Sequence, residues 1–186
     1  MTSLIEITNF WMEHRNDWFK VSDKFDNICS NKYKDYFDNY KDLSYDKKNP
    51  REVLGLIILL DQLSRNIFRG KPKAYKYDNE VCNIMLKNFH LSTELEGWEK
   101  IFFLMPLKHS ENYYNQKYNI QLWKSIIDHT FELKLERLYI NNLKTCQEHY
   151  KIIKNFGRFP KRNKYLKREN TEKEEKYLVE NPKGFI

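Results

Sequence analysis

Apolar side chains recur every three or four residues along most of this chain, a pattern that predicts amphipathic helices. One stripe runs from Leu4 to His14, and a second runs from Ser22 to about residue 41. Asn49 and Pro50 form an N-cap followed by proline at the first helical position, so a third helix is expected over about 50–68. Its apolar residues lie on nearly every side, which predicts a central, buried helix.

The middle of the chain predicts three further helices. The first covers about 72–90. A capping-box pattern at residues 93–96 opens the second, which we expect Pro106 to end. Ser110 is the expected N-cap of the third, a long helix that includes Phe131.

The last third of the chain adds two helices. One covers about 137–155 and is ended by Gly157, and another capping box at Thr171 opens a short final helix. Residues 182–184, Pro-Lys-Gly, are expected to end the fold. The sequence therefore predicts an all-α protein of antiparallel helix pairs, with residues 1–186 forming a single domain.

The apolar runs, the N-terminus and the cysteines indicate in which compartment the protein works. The longest apolar run, Val53 to Leu60, is much shorter than the roughly 20 residues that span a bilayer. The N-terminus has no secretory pattern, and three widely spaced cysteines are typical of reduced thiols. These features predict a soluble, cytoplasmic protein with no membrane partner.

Positive charge is concentrated near the C-terminus. The net charge is +7, and residues 151–168 carry eight basic residues and no acidic one. Such a segment can attract nucleic acid, with Phe156, Phe159 and Tyr165 available for stacking. Gly157 and Pro160 predict an ordered turn rather than a free basic arm, so we do not expect nucleic acid to be the partner.

A polar cluster follows the most apolar stretch of the chain. Asp61 and Arg65 are one helical turn apart, and Gln62, Asn66 and Arg69 form a neighbouring polar stripe. Burying such charges costs several kcal/mol per ion unless they are paired. Two interpretations stay open: an Asp61–Arg65 ion pair that fixes helix packing, or an anion site lined by Arg65 and Arg69.

A second cluster, His109-Ser110-Glu111, follows Pro106 at an expected helix start. Free backbone N–H groups at such a position favour anions. His109 could transfer a proton and Glu111 could act as a base. The structural alternative is helix capping.

The third cluster combines a histidine with a basic turn. His149 shares a helix face with apolar residues, and Arg158, Arg162 and Asn163 follow Gly157. The chain has eight arginines against 25 lysines, yet four of the eight are in the first and third clusters. Because a guanidinium binds phosphate or carboxylate through two parallel hydrogen bonds, this bias favours an anion site, although structural ion pairs also prefer arginine.

Several common catalytic patterns do not occur in the sequence. It has no glycine-rich phosphate loop, no HExxH, no GxSxG and no Cys/His spacing typical of a metal site. We therefore expect no metal and no cofactor.

Taken together, the motifs resemble those of the bacterial family called domain of unknown function 924. Residues 57–75, IILLDQLSRNIFRGKPKAY, are similar to its ILLDQFPRNIFRGTPRAF signature. Residues 105–112, MPLKHSEN, are similar to LPFEHSED, and residues 149–166, HYKIIKNFGRFPKRNKYL, to HRxIIxRFGRFPHRNxxL. Residues 171–185 follow its STxEExxFLxxPGxxF ending.

The resemblance implies a helical fold similar to tetratricopeptide repeats and no established reaction. It also implies a set of shared polar positions, namely Asp61, Gln62, Arg65, Asn66, Arg69, His109, Glu111, His149, Arg158, Arg162 and Asn163. Ser64 stands where the family usually has proline, and Lys161 where it usually has histidine. If that histidine donates a proton in a family reaction, Lys161 puts the activity in doubt.

Three functions are compatible with these observations. The leading hypothesis is a polar pocket for a small anionic ligand, with arginine contacts from Arg65, Arg69, Arg158 and Arg162. His109, Glu111 and His149 would orient the ligand or exchange protons. A hydrolase that uses the same pocket is the second hypothesis, with Glu111 or His109 as general base. The third is a scaffold whose helix pairs bind a peptide.

Overall fold

The computed structural model describes residues 3–182, which divide into two compact units with a boundary between Pro106 and Leu107. Within these residues there are eleven α-helices and no strand, so the predicted all-α class is confirmed. Each unit is described by itself below. The expectations of a single domain and of a tetratricopeptide-like superhelix stay predictions.

The first unit is built around one long helical run. Pro50–Ile57 (α4) continues through a π-helical segment, Ile58–Leu63, into Ser64–Ile67 (α5), and residues 53–64 are all buried. The other α-helices of this unit are Leu4–Glu13 (α1), Asp23–Tyr33 (α2), Tyr36–Asn39 (α3), Asp78–Lys87 (α6) and the first ten residues of Gly97–His109 (α7). Short 3₁₀ turns occupy Tyr40–Asp42, Pro72–Tyr75 and Phe89–Glu94.

A glycine allows α1 to pack closely on α4, the central helix of this unit. A Cβ atom added at Gly55 would lie 2.0 Å from the carbonyl oxygen of Leu4. Only glycine therefore allows the backbone of α1 to approach α4 this closely. As the sequence predicts, Asn49 caps α4 and Pro50 is its first residue.

The second unit begins with a helix pair. Tyr113–Asp128 (α8) and Leu133–Phe156 (α9) are joined by only four residues and pack against each other. The 3₁₀ turn Pro160–Arg162, Asn163–Leu166 (α10) and Glu172–Glu180 (α11) follow. Gly157 ends α9 in the left-handed conformation, with φ of 71°.

Several predicted helix boundaries are wrong. The helix expected from Ser22 to about residue 41 is interrupted after Tyr33, and a short helix and a 3₁₀ turn follow. This break places Phe37 against Phe68 and Tyr77, with ring centroids 5.0 and 5.3 Å apart. The helix expected over about 72–90 is shorter, because 3₁₀ turns replace its two ends.

Two of the expected helix signals also have different roles. Residues 93 and 94 belong to a 3₁₀ turn, and α7 begins at Gly97 and continues through Pro106 to His109. The N-cap of α8 is Asn112, whose side chain accepts hydrogen bonds from Tyr114 N and Asn115 N, rather than Ser110. His109 therefore ends a helix instead of preceding one.

The later helices agree with the sequence-based predictions only in part. α8 stops at Asp128, so Phe131 lies outside it and is 91% exposed. The capping box at Thr171 is confirmed, with Glu174 as its second member. Of the expected terminal signal, residues 183 and 184 lie outside the described residues. Between residues 3 and 182, no helix has the length and apolar character that a bilayer span requires.

Candidate functional site

The first polar cluster lies where the π-helical segment passes into α5. The Arg65 Nη1 atom is 3.2 Å from Asp61 Oδ1, and its Nη2 donates to both carboxylate oxygens of Asp78 at 3.0 Å. Gln62 donates from its side-chain amide to the carboxylate of Asp61, which is fully buried. Burial alone would lower the pKa of Arg65, but Asp78 and Asp61 more than offset it and raise that pKa.

Arg69 makes a second ion pair in the same unit. Its Nε and Nη2 atoms donate to the two oxygens of Asp26 at 2.5 and 2.9 Å, and Asn66 Nδ2 donates to the same carboxylate at 2.8 Å. These contacts join α5 and the residues after it to α2. The hydrogen bonds that Arg69 donates to Asp26 raise the pKa of Arg69.

The guanidinium groups of Arg65 and Arg69 thus hold carboxylates of the protein itself. This geometry is that of a structural ion-pair network and leaves Arg65 and Arg69 little capacity to bind an external anion. The partners Asp26 and Asp78 were not identified from the sequence. They belong to α2 and α6, so no local spacing relates them to the arginines.

In the second unit, Glu111 is held by groups that follow α9. Its Oε1 accepts from the backbone N–H of Phe159 at 2.8 Å, and Arg168 donates to both carboxylate oxygens at 2.7 and 3.0 Å. Burial raises the pKa of Glu111, but the hydrogen bonds from Arg168 and Phe159 outweigh it and lower that pKa. Glu111 is therefore a carboxylate at neutral pH and is poorly suited to act as a general base.

Arg158 is paired in a similar way with the N-terminus of α11. Its Nε and Nη2 atoms donate to the two carboxylate oxygens of Glu174 at 2.7 and 2.8 Å. The hydrogen bond from Arg158 is the main cause that lowers the pKa of Glu174 to about 2. Asn163, which is buried, donates to Asn170 Oδ1 at 2.8 Å.

Two of the remaining predicted residues of this unit, His149 and Arg162, contact the ring of Phe159. The His149 ring meets it edge-on with centroids 5.5 Å apart, and the Arg162 guanidinium lies 4.4 Å from the ring centroid. Arg162 is only 2% exposed and donates to the carbonyl oxygen of His109 at 3.1 Å. The rings of His109 and His149 are 6.4 Å apart.

A buried lysine extends this group. Lys108, which is 9% exposed, donates from Nζ to Asn142 Oδ1 at 3.2 Å and to Thr145 Oγ1 at 3.4 Å. The carbonyl oxygen of Thr145 in turn lies 2.8 Å from His149 Nδ1. We call Lys108, Asn142, Thr145, His149 and Arg162 the buried cationic cluster.

The side chain of Gln116 caps the C-terminal end of α7. Gln116 Nε2 donates to the carbonyl oxygens of Lys108 and Ser110 at 2.6 and 2.8 Å. These carbonyl oxygens have no hydrogen-bond donor within the helix, and Gln116 supplies one. The ammonium group of Lys108 contacts polar groups of α9.

Burial controls the protonation of the cluster. Loss of hydration lowers the pKa of His149 from its usual 6.5 to about 3, and the positive charge of Lys108 is the next largest cause. Burial likewise raises the pKa of the Cys146 thiol. The low pKa makes His149 a weak base, and the raised pKa keeps Cys146 a thiol at neutral pH, so neither is an activated base or nucleophile.

Sequence reasoning missed Lys108, Asn142 and Thr145. A partial signal was present, since Asn142, Cys146 and His149 follow one another at spacings of four and three on one face of α9. Lys108 carried no such signal, because lysine is abundant throughout the surface of this chain. Among residues 3–182, no group of three or more His, Cys, Asp or Glu side chains could hold a metal ion.

The sequence placed all the candidate residues in one pocket. The structure brings His109, His149 and Arg162 together in the second unit, where Glu111 and Arg158 are paired with other residues. Asp61, Gln62, Arg65, Asn66 and Arg69 form the network of the first unit.

Comparison with known proteins supports the assignment made from the motifs. The family described as "Bacterial protein of unknown function (DUF924)" matches residues 7–182. The chain belongs to this family. The DUF924 chain is also similar to the solved structure of the Agrobacterium tumefaciens protein of unknown function ATU0120, at 27% identity and a TM-score of 0.81. The match covers 95% of this chain and 97% of that one. No curated protein matches.

Two residues of this DUF924 protein depart from the family motifs quoted above, and both make local contacts. Ser64 donates from Oγ to the carbonyl oxygen of Ala74 at 3.2 Å. Lys161 Nζ donates to the carbonyl oxygen of Pro182 at 2.8 Å. Burial lowers the pKa of Lys161, and the positive charge of Lys164 lowers it further.

Proposed function

We propose that this DUF924 protein binds a small anion, a phosphate or a carboxylate, at the buried cationic cluster. The supporting observation is the burial of two cationic side chains, Lys108 and Arg162, around one neutral histidine. Removing two such charges from water costs several kcal/mol each. A negatively charged ligand between them would recover much of that energy.

The surrounding charges also favour an anion. Arg162 lies over the Phe159 ring and Arg168 donates to the Phe159 carbonyl oxygen, while Lys108 lies close to His149. Arg158 and Arg168 pair with Glu174 and Glu111, whereas Lys108 donates to the Thr145 hydroxyl and Arg162 to the His109 carbonyl oxygen. In a water-poor environment a cationic side chain attracts an anion more strongly than it would at the surface.

The cluster also supplies directional donors for such a ligand. Lys108 contributes an ammonium with three donors, and Arg162 contributes a planar guanidinium. His149 stays neutral at physiological pH, so it would bind through hydrogen bonding rather than charge. His109, at the end of α7, is half-buried, and its ring lies 6.4 Å from that of His149.

The first test is the thermal stability of the protein with phosphate, pyrophosphate and small carboxylates at two salt concentrations. A ligand at 100 times its dissociation constant adds about 2.7 kcal/mol, or roughly 5–10 °C for a chain of this size. We expect one of these anions to raise the melting temperature at both salt concentrations.

Variants then locate the site. Lys108→Met should abolish the stabilisation, and Lys100→Met, on the same helix, should retain it. If Lys108→Met does not fold, Thr145→Val removes one contact of the ammonium and should weaken binding about two- to fivefold. Equal loss of binding in the Lys108 and Lys100 variants would contradict the proposal.

A further inference from the structure

A groove in the first unit has a chemistry opposite to that of the cationic cluster. It lies between α1 and α2, has a volume of about 310 Å³ and is lined by Glu6, Asn9, Phe10, Glu13, Lys32 and Tyr33. Phe10 and Tyr33 form its buried floor, with ring centroids 5.1 Å apart and an edge-on arrangement. The groove thus combines two aromatic rings with two carboxylates.

An ammonium group of the protein already occupies this aromatic floor. Lys32 Nζ lies 4.7 Å from the centroid of Phe10 and 5.8 Å from that of Tyr33, both within the range of cation–π attraction. The side chain of Lys32 is an aliphatic chain that ends in an ammonium. It therefore resembles a tethered alkylamine bound to the groove.

The two carboxylates flank this position along α1. Glu6 and Glu13 are seven residues apart, so they lie on one helix face about 10 Å apart, with Phe10 between them. Both side chains are exposed. Glu6, Glu13 and Lys32 together give the groove a net charge of −1.

We propose that this groove binds an aliphatic polyamine. Its methylene chain would cross the Phe10 ring, and ammonium groups at its two ends would pair with Glu6 and Glu13. The polyamine would displace Lys32, so the lysine acts as an internal competitor for the site. This inference is independent of the anion site, because the groove residues all belong to the first unit.

Calorimetric titration of the full chain with spermidine at low salt tests the proposal. Glu6→Gln and Glu13→Gln each remove one negative charge and should weaken binding about two- to fivefold. Lys32→Ala removes the competing ammonium and should tighten binding by a similar factor. All three side chains are exposed, so the variants should fold.

Lys24→Ala is the matched control for Lys32→Ala. Lys24 is an exposed residue of the same helix and has the same charge, but it does not line the groove. Its replacement should leave spermidine affinity nearly unchanged. The proposal is overturned if spermidine does not bind, if the two lysine variants tighten binding equally, or if neither glutamate variant weakens it. Butylamine, which has one ammonium, should bind more weakly than spermidine.

Discussion

His149 shows how burial can change the role of a residue that the sequence suggests for catalysis. The family motif and its position near basic residues made it a candidate for proton exchange. In the structure its ring packs against Phe159 and is 4% exposed. Its lowered pKa makes it a neutral hydrogen-bonding group instead.

The protonation of His149 can be measured directly. Because burial lowers its pKa to about 3, we expect its imidazole NMR signals to stay unchanged between pH 8 and about pH 5. The unfolded chain binds a proton below the usual value of 6.5, so this residue contributes stability that is lost as pH falls from 6.5 towards 3. A titration of the His149 signal near pH 6.5 would contradict the buried placement.

Glu174 gives a second pH-dependent contribution. The hydrogen bond from Arg158 lowers its pKa from 4.5 to about 2, so it stabilises the fold above pH 4.5 and loses this effect as pH falls towards 2. Glu174→Gln should lower the free energy of unfolding by about 2 kcal/mol at pH 7. Denaturant unfolding should show this difference shrinking between pH 4.5 and pH 2. A difference that is independent of pH would exclude the ion pair as its cause.

At the scale of elements, Gly55 determines how closely α1 and α4 pack. A methyl group there would collide with backbone, which cannot move as a flexible side chain can. We expect Gly55→Ala to lower the free energy of unfolding by about 3 kcal/mol. Gly157→Ala is the comparison: no atom lies within 4 Å of its added Cβ, and only the positive φ is strained, at about 1 kcal/mol. Chemical denaturation of the two variants should give this order, and the reverse order would contradict the packing of α1 on α4.

The helices themselves could largely be predicted from the sequence, because caps and apolar stripes are local signals. Asn49, Gly157 and Thr171 act as their residue types suggest. The errors occur where tertiary packing overrides a local signal. Pro106 is retained inside α7, since a buried apolar helix can lose one hydrogen bond and remain folded.

The π-helical segment Ile58–Leu63 is the clearest feature that local signals could not reveal. Its six residues are all buried, and its hydrogen-bond pattern inserts an extra residue per turn. Asp61 lies in this segment and meets Arg65 and Asp78. The sequence showed that Asp61 and Arg65 could pair, but the third partner comes from α6.

For the whole molecule, the single-domain expectation leads to a test of cooperativity. The chain has four tryptophans, of which Trp11, Trp18 and Trp98 belong to the first unit and Trp123 to the second. Fluorine NMR of 5-fluorotryptophan-labelled protein follows each indole during urea unfolding. A single domain predicts one midpoint for all four signals. A separate midpoint for Trp123 would contradict it.

The distribution of charge was only partly predictable at this scale. The basic stretch of residues 151–168 is visible in the sequence, and so is the enrichment of arginine. The sequence does not reveal that Arg158 and Arg168 hold Glu174 and Glu111, because those acids are 16 and 57 residues away. The proposed function rests on the burial of Lys108 and Arg162.

The most direct test of that function is NMR mapping of the anion that stabilises the protein best. We predict that saturating amounts shift the amide signals of Lys108, Thr145 and His149 more than those of Arg65 and Arg69. Shifts centred on Arg65 and Arg69, or spread evenly over residues 151–168 and lost at high salt, would contradict an anion site at the buried cationic cluster.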